Sequence, residues 1–401
     1  MTTDTAHQPP LVLSGPAELL AALPYRLGFH PHHSLVLLEL ETGPPTPAGD
    51  RARLGAVVRV DLPGPAAPGA PAPGDPAELE RLAAGAAAEA VACLVRTRAG
   101  VGGRGHPVVL ACYDETGTAP GAQLRAGPAG AAAVAAALSG LRTAGLEPGE
   151  AVLVAGGRWR CLTCPGEHCC PPAGLALHGP AADRVAAEAV GRGLSALADR
   201  DAVLPDRSPL PRERREAARA ARRATAARGP WTEGRRARAL AEFSHQVRRY
   251  LPPGAPRLPD PGAAGHLLAA LEDVPVRDAA LLTGAPGQLR VPAVAALLRT
   301  PPGTVDAAAA ALVHRALAAE PDRSRSVATA ALAVDLARHA PGPLGAGAWA
   351  LAGWAYWSVG DGVRAGACTE AALEADPGHR LAGLVASALR AGLPPRERGA
   401  R

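Results

Sequence analysis

Apolar runs of strand length alternate with helix-length segments up to Pro180, and beyond it the strand-like runs stop. That switch constrains the fold more than any single motif. Ser34–Leu40 (SLVLLEL) and Leu54–Asp61 (LGAVVRVD) are short continuous apolar runs rich in Leu and Val, the pattern of strands buried on both faces. Pro107–Tyr113 and Ala151–Ala155 read the same way, and a shorter run at Leu11–Leu13 opens the series. Gly15-Pro16-Ala17-Glu18 starts a helix with Pro in its first turn, predicted to end near Leu23 because Pro24 follows. Ala77–Arg98 and Ala129–Ala144 are longer, alanine-rich helices. This alternation predicts an α/β domain over residues 1–205, with a mostly parallel or mixed sheet and helices on both faces.

Past Pro180 the reading is all helix. Ala181–Ala198, Arg212–Arg228 and Thr232–Tyr250 have helical spacing, and the domain change falls near Asp206. Residues 206–250 form a basic helical segment, Leu251–Pro261 (LPPGAPRLPDP) a proline-rich linker, and residues 262–401 a helical domain. In the first half, the stretch with Pro44, Pro45 and Pro47 and the segment Leu62–Pro76 read as surface loops.

Composition decides what the cores are made of and which function classes recede. The chain is 48% hydrophobic but only 3% aromatic, so its cores must be built from Leu, Val and Ala. Lys, Asn and Ile are absent, and all 42 basic residues are Arg. A GC-rich genome accounts for that bias, so a net charge of only +5 gives little support to nucleic-acid binding. Met1–Pro10 has neither the basic region nor the apolar core of a secretory signal, and no run of roughly 18 apolar residues occurs. Ala126–Leu141, an uncharged stretch rich in Ala and Gly and too short to span a membrane, reads as a buried helix. A cytoplasmic protein without membrane association is expected, its seven cysteines being free thiols or metal ligands.

Near the C-terminus, Trp349, Gly353, Tyr356, Gly360, Ala365, Ala372 and Pro377 follow the spacing of a roughly 34-residue tetratricopeptide unit. Only Ala346–Gly378 carries it, whereas a free-standing solenoid needs about three repeats. The expectation is a tetratricopeptide-like hairpin at 346–378, packed into the helical domain.

Several segments taken together resemble a known family. They are Leu23-Pro24-Tyr25-Arg26-Leu27-Gly28-Phe29-His30-Pro31 with Ser34-Leu35-Val36, and the strand Val58-Arg59-Val60-Asp61-Leu62-Pro63. Arg158-Trp159-Arg160, Cys164 with Cys169-Cys170-Pro171-Pro172, Gly360-Asp361-Gly362, and Ala371, Leu373, Asp376 and Pro377 complete the set. This pattern resembles the actinobacterial family of domain of unknown function 4192 over nearly the whole chain. The resemblance implies a cytoplasmic actinobacterial protein and lends no catalytic residues. It also implies that Ser is usual where this chain has Cys161.

Three groups of residues are candidates for chemistry. Cys161, Cys164, His168, Cys169 and Cys170 place four thiols and an imidazole within ten residues. The Cys161–Cys164 spacing suits a zinc ion, but no distant second pair completes the set. A redox pair across the Pro165-Gly166 turn and a buried structural turn are the other readings. Asp61, Asp114 and Arg158 sit at or just past strand ends, where open α/β sheets bind ligands and cofactors, and two carboxylates with a guanidinium would suit a phosphate-containing ligand with a bound metal. No Gly-rich phosphate loop supports them, because Gly100, Gly102, Gly103 and Gly105 precede a strand rather than open a helix. His30, His32 and His33 cluster on one loop. Finally, Arg207–Arg238 holds eleven Arg against three Glu with Trp231 its only aromatic, so base stacking finds no platform.

Neither G-x-S-x-G nor H-E-x-x-H occurs. The resulting expectation is a non-catalytic interaction or scaffold protein with a protein partner on its C-terminal helices. A ligand-binding protein or enzyme using the strand-end edge ranks second, and nucleic-acid binding through the Arg-rich helices ranks third.

Overall fold

The computed structural model describes residues 13, 15–42, 52–63, 75–98, 106–116, 123–164, 170–192, 194–251, 258–301, 304, 306–393 and 395. The chain divides into two compact units, with the change between Val203 and Leu204. The first unit runs α1 (Pro16–Leu27), β1 (Ser34–Thr42), β2 (Ala52–Asp61), α2 (Pro76–Arg98), β3 (Val108–Tyr113), α3 (Pro128–Thr143), β4 (Pro148–Ala155), β5 (Arg158–Cys161), β6 (Leu175–Ala176) and α4 (Pro180–Gly191).

Its strands form one six-stranded mixed sheet in the order β2-β1-β3-β4-β5-β6. Only β3 and β4, joined through α3, are parallel. The other neighbours are antiparallel. The sheet is mixed because parallel neighbours need a helical crossover, and β4 turns straight back into β5. The turn is Gly156-Gly157, with φ of 54° and 69°, the geometry of a tight type I′ hairpin.

Side chains alternate across the sheet as a two-residue period requires. Leu35, Leu37, Leu110, Cys112 and Leu153 face one way and pack on α2 and α3 through Ala83, Ala87, Ala133 and Ala137. Val36, Leu38, Ala111, Tyr113, Val154 and Trp159 face the other way and meet Leu19, Leu20 and Leu23 of α1. Helices faced with alanine lie close to the sheet, which is how a chain so poor in aromatics fills its interior.

Two boundaries differ from expectation. Helix α1 continues through Pro24 to Leu27. Pro24 cannot donate a backbone hydrogen bond but still accepts one, and Gly28, at φ 87°, donates to its carbonyl (2.7 Å) to close the helix. Helix α4 stops at Gly191, short of the expected Ala198. Of the expected strand Leu11–Leu13, Leu11 and Val12 lie outside the described residues, as do the loops around Pro44 and Gly100 and most of Leu62–Pro76.

The second unit is wholly helical: α5 (Arg212–Ala226), α6 (Glu233–Arg248), α7 (Pro261–Leu271), α8 (Val274–Leu281), α9 (Gly287–Arg299), α10 (Ala307–Ala318), α11 (Arg323–His339), α12 (Ala346–Ser358), α13 (Gly362–Ala375) and α14 (Arg380–Arg390). Helices on both sides of the proline-rich stretch share one core, including Ala218, Phe243, Val247, Leu267, Leu332, Leu336 and Leu351. The basic segment 206–250 therefore packs into this core. Within the proline-rich stretch, residues 252–257 lie outside the described residues.

Asp260, Asp273, Asp306, Asp322 and Asp361 each cap a helix by accepting a backbone N–H from its first turn. Helices α12 and α13 form a hairpin that turns at Gly360 (φ 79°). They approach closely at Gly353, where a Cβ would lie 2.6 Å from Thr369 Oγ1. No helix among the described residues is long and apolar enough to cross a membrane.

Candidate functional site

Strand register brings the expected ligand-binding residues of the first unit to one sheet edge. Ser34 pairs with Asp61 on one side and with Tyr113 on the other. Tyr113 pairs with Val154, and Ala155 with Arg158. The ends of β2, β3 and β4 and the starts of β1 and β5 therefore share that edge. Asp61, Asp114 and Arg158 stand two strands apart from one another, roughly 10 Å per step at the usual strand spacing. That is too far for all three to grip one phosphate.

Each of the three is also engaged in holding the fold. Asp114, buried, accepts from the backbone N–H (2.9 Å) and the hydroxyl (2.6 Å) of Thr116, and from the Gly127 N–H (2.8 Å) at the start of α3. A Cβ on Gly127 or Gly130 would fall on Thr116 or the Asp114 carboxylate, so glycine is required where α3 meets it. Arg158 donates to the carbonyls of Ala173 (2.6 Å) and Gly174 (2.7 Å), pinning the segment that forms β6. Asp61 pairs with Arg59 and, at 3.7 Å, with Arg200.

What the register adds is a set of groups that the sequence reading passed over. Arg59, Ser34 and Tyr113 lie on β2, β1 and β3 and project from the α1 side of the sheet, as their pairing with core residues of that face dictates. Ser34 Oγ, the Tyr113 hydroxyl and Arg59 Nε are buried and have no hydrogen-bond partner. Burial raises the Tyr113 pKa, which keeps it a neutral phenol. The Arg59 guanidinium lies 5.3 Å from the ring centre of the fully buried Phe29. Phe29 begins the loop that carries His30, His32 and His33. Desolvation lowers the His30 pKa, and the nearby His32 and His178 lower it further.

The thiol segment is only partly within the described residues. Cys161 and Cys170 are buried in the α1-side core, and Cys164 packs against it. Cys161 Sγ lies 3.4 Å from Thr163 Oγ1. His168 and Cys169 lie outside the described residues. Among the described residues, no three His, Cys, Asp or Glu side chains group as metal ligands.

In the helical unit, seven of the eleven arginines between Arg207 and Arg238 bond to groups of the same unit, while Arg214 Nε and Arg219 Nε are buried without a hydrogen-bond partner. Arg236 is buried and makes a two-pronged pair with Asp273 (3.0 and 3.1 Å), with further bonds to the carbonyls of Leu298 and Thr300. Arg214, Arg215 and Arg235 donate to backbone carbonyls, and Arg207, Arg212 and Arg222 pair with Glu374, Glu216 and Glu272.

The same unit holds a small cleft whose lining includes Leu281, Leu317, Pro321, Trp354, Trp357 and Pro395. The two tryptophan rings are 5.1 Å apart. Trp354 Nε1 donates to the Leu281 carbonyl and Trp357 Nε1 to the Leu393 carbonyl, both at 3.3 Å. The cleft encloses about 30 Å³. Metabolite pockets measure some 300–1,000 Å³, so this cleft suits a side chain or two.

The family model described as domain of unknown function (DUF4192) matches residues 16–334 and 313–396. The chain belongs to the DUF4192 family. No curated protein and no solved structure matches it.

The DUF4192 match crosses the boundary at Val203, so both units carry family sequence. Sequence reasoning could have found Ser34 and Tyr113 in this DUF4192 chain from one signal, a polar residue at the end of each of two apolar strand runs. It could not have found that the two strands are neighbours.

Proposed function

We propose that this DUF4192 protein is a non-catalytic interaction protein that takes an extended, proline-containing peptide in the tryptophan cleft of its helical unit. One observation carries the reading. Trp357 Nε1 donates to the carbonyl of Leu393, and Pro395 lines the cleft beside it, so two residues of the chain's own C-terminal segment already meet this surface. Proline-rich ligands characteristically meet aromatic grooves whose polar tips donate to their carbonyls. Trp is also enriched where interfaces concentrate their energy. The hairpin of α12 and α13 that presents Trp354 and Trp357 is, on this reading, tetratricopeptide-like.

The test is a tryptophan-fluorescence titration of protein ending at Gly392 with a synthetic Leu-Pro-Pro-Arg-Glu-Arg peptide. Saturable quenching that disappears in Trp357→Ala supports the reading. An unchanged spectrum removes its basis.

The thiol segment carries a separate proposal, a structural zinc held by Cys164 and Cys169 with Cys161, His168 or Cys170. Protein purified without added metal then contains about one equivalent of zinc, which Cys164→Ser loses. Metal-free protein whose melting is indifferent to chelator overturns it.

A further inference from the structure

Three buried hydrogen-bond donors without an acceptor stand on three neighbouring strands of the first unit, at one edge and on one face of the sheet. They are Arg59 Nε on β2, Ser34 Oγ on β1 and the Tyr113 hydroxyl on β3. Ser34 is fully buried and Tyr113 is 7% exposed. A buried polar group that forgoes its hydrogen bond costs stability, so three on adjacent strands call for a common explanation. The Asp114 carboxylate, just past the end of β3, meets its three donors, so the packing at this edge is well able to satisfy a polar group.

We infer that Arg59, Ser34 and Tyr113 form a binding site for an oxyanion, the phosphate or carboxylate group of a small ligand. All three offer hydrogens, and the complement to a row of donors is an acceptor-only group carrying negative charge. Arg200 adds a second guanidinium through its contact with Asp61.

The loop from Phe29 to His33 closes the site. Phe29 stacks beneath Arg59, and the His33 carbonyl accepts from Leu62 N–H just beyond β2. His33 has φ 38°, the one positive value at a non-glycine residue among those described. Backbone strain of this kind collects at ligand clamps, because a conformation that costs energy persists where function requires it. The ligand enters by displacing this loop, and its charged end reaches Ser34, the central strand of the three.

The site differs from the trio Asp61, Asp114 and Arg158, and it is independent of the peptide cleft in the helical unit. The experiment is calorimetric titration of the full chain with inorganic phosphate and, separately, with acetate, beside Ser34→Ala and Tyr113→Phe. Saturable binding of either anion, weakened at least about tenfold by each variant as loss of a hydrogen bond to a charged group requires, supports the site. The anion that binds tells a phosphate-bearing ligand from a carboxylate. Because each variant removes a group that bonds to nothing in the protein, neither lowers the melting temperature. Absence of heat with both anions at about 10 mM, a concentration that reveals even millimolar affinity, overturns the inference. So does unaltered binding by the two variants.

Discussion

Two arginines, one buried and one half-buried, make the instructive comparison. Arg236, in the helical unit, spends its guanidinium on both oxygens of Asp273 and on two carbonyls. Arg59, in the α/β unit, pairs with a largely exposed carboxylate and leaves Nε buried without an acceptor. A completed network rigidifies the structure around it, whereas an incomplete one keeps free energy available for something that arrives later. Arg236 ties α6 to the start of α8 and the end of α9, and Arg59 stands at an edge that the fold has left chemically unfinished.

That contrast breaks most readily at its finished end. Arg236→Ala strands the Asp273 carboxylate at 7% side-chain exposure, and the expected loss is about 3–5 kcal/mol in denaturant unfolding. A loss below about 1 kcal/mol, the worth of a surface pair, would mean that the pair is solvated.

Asp114→Ala comes next. It removes three hydrogen bonds and the anchor of α3, with an expected cost of about 2–3 kcal/mol. Circular dichroism melts should show the loss in the transition of the α/β unit.

A smaller effect is expected from pH. His339 is fully buried, its Nδ1–H donating to the Asp335 carbonyl (2.7 Å) while Nε2 faces an Arg214 N–H at 3.4 Å. Burial holds its pKa below the usual 6.5. The folded state therefore keeps the ring neutral while the unfolded chain takes up a proton. Stability is full above about pH 6.5 and declines as pH falls below it toward the folded pKa. Urea midpoints between pH 8 and 5 should show the decline, flattened in His339→Gln.

Tyr113→Phe should change least, within about 0.5 kcal/mol and in the stabilising direction if in either, since its hydroxyl has no partner to lose. A clear destabilisation would place Tyr113 among the finished networks and erase the contrast.

The sequence by itself determined where strands give way to helices, that the interior is made of Leu, Val and Ala, and that the chain resembles the DUF4192 family. These are local or compositional properties: a two-residue or 3.6-residue period is written into neighbouring residues. The hairpin at 346–378 was legible for the same reason, because Gly353 and Gly360 announce a close approach and a left-handed turn. Only the tertiary structure decided strand order. Whether Ser34 lies beside Tyr113 or far from it depends on which strands pair across the sheet. The apolar runs of β1 and β3 look alike in the sequence, whichever neighbour each takes. The same holds for charge. Eleven arginines between Arg207 and Arg238 read as one basic helical segment, yet Arg236 meets its carboxylate 37 residues away at the cap of another helix. Long-range pairing separates a spent charge from an available one, and no local pattern encodes it.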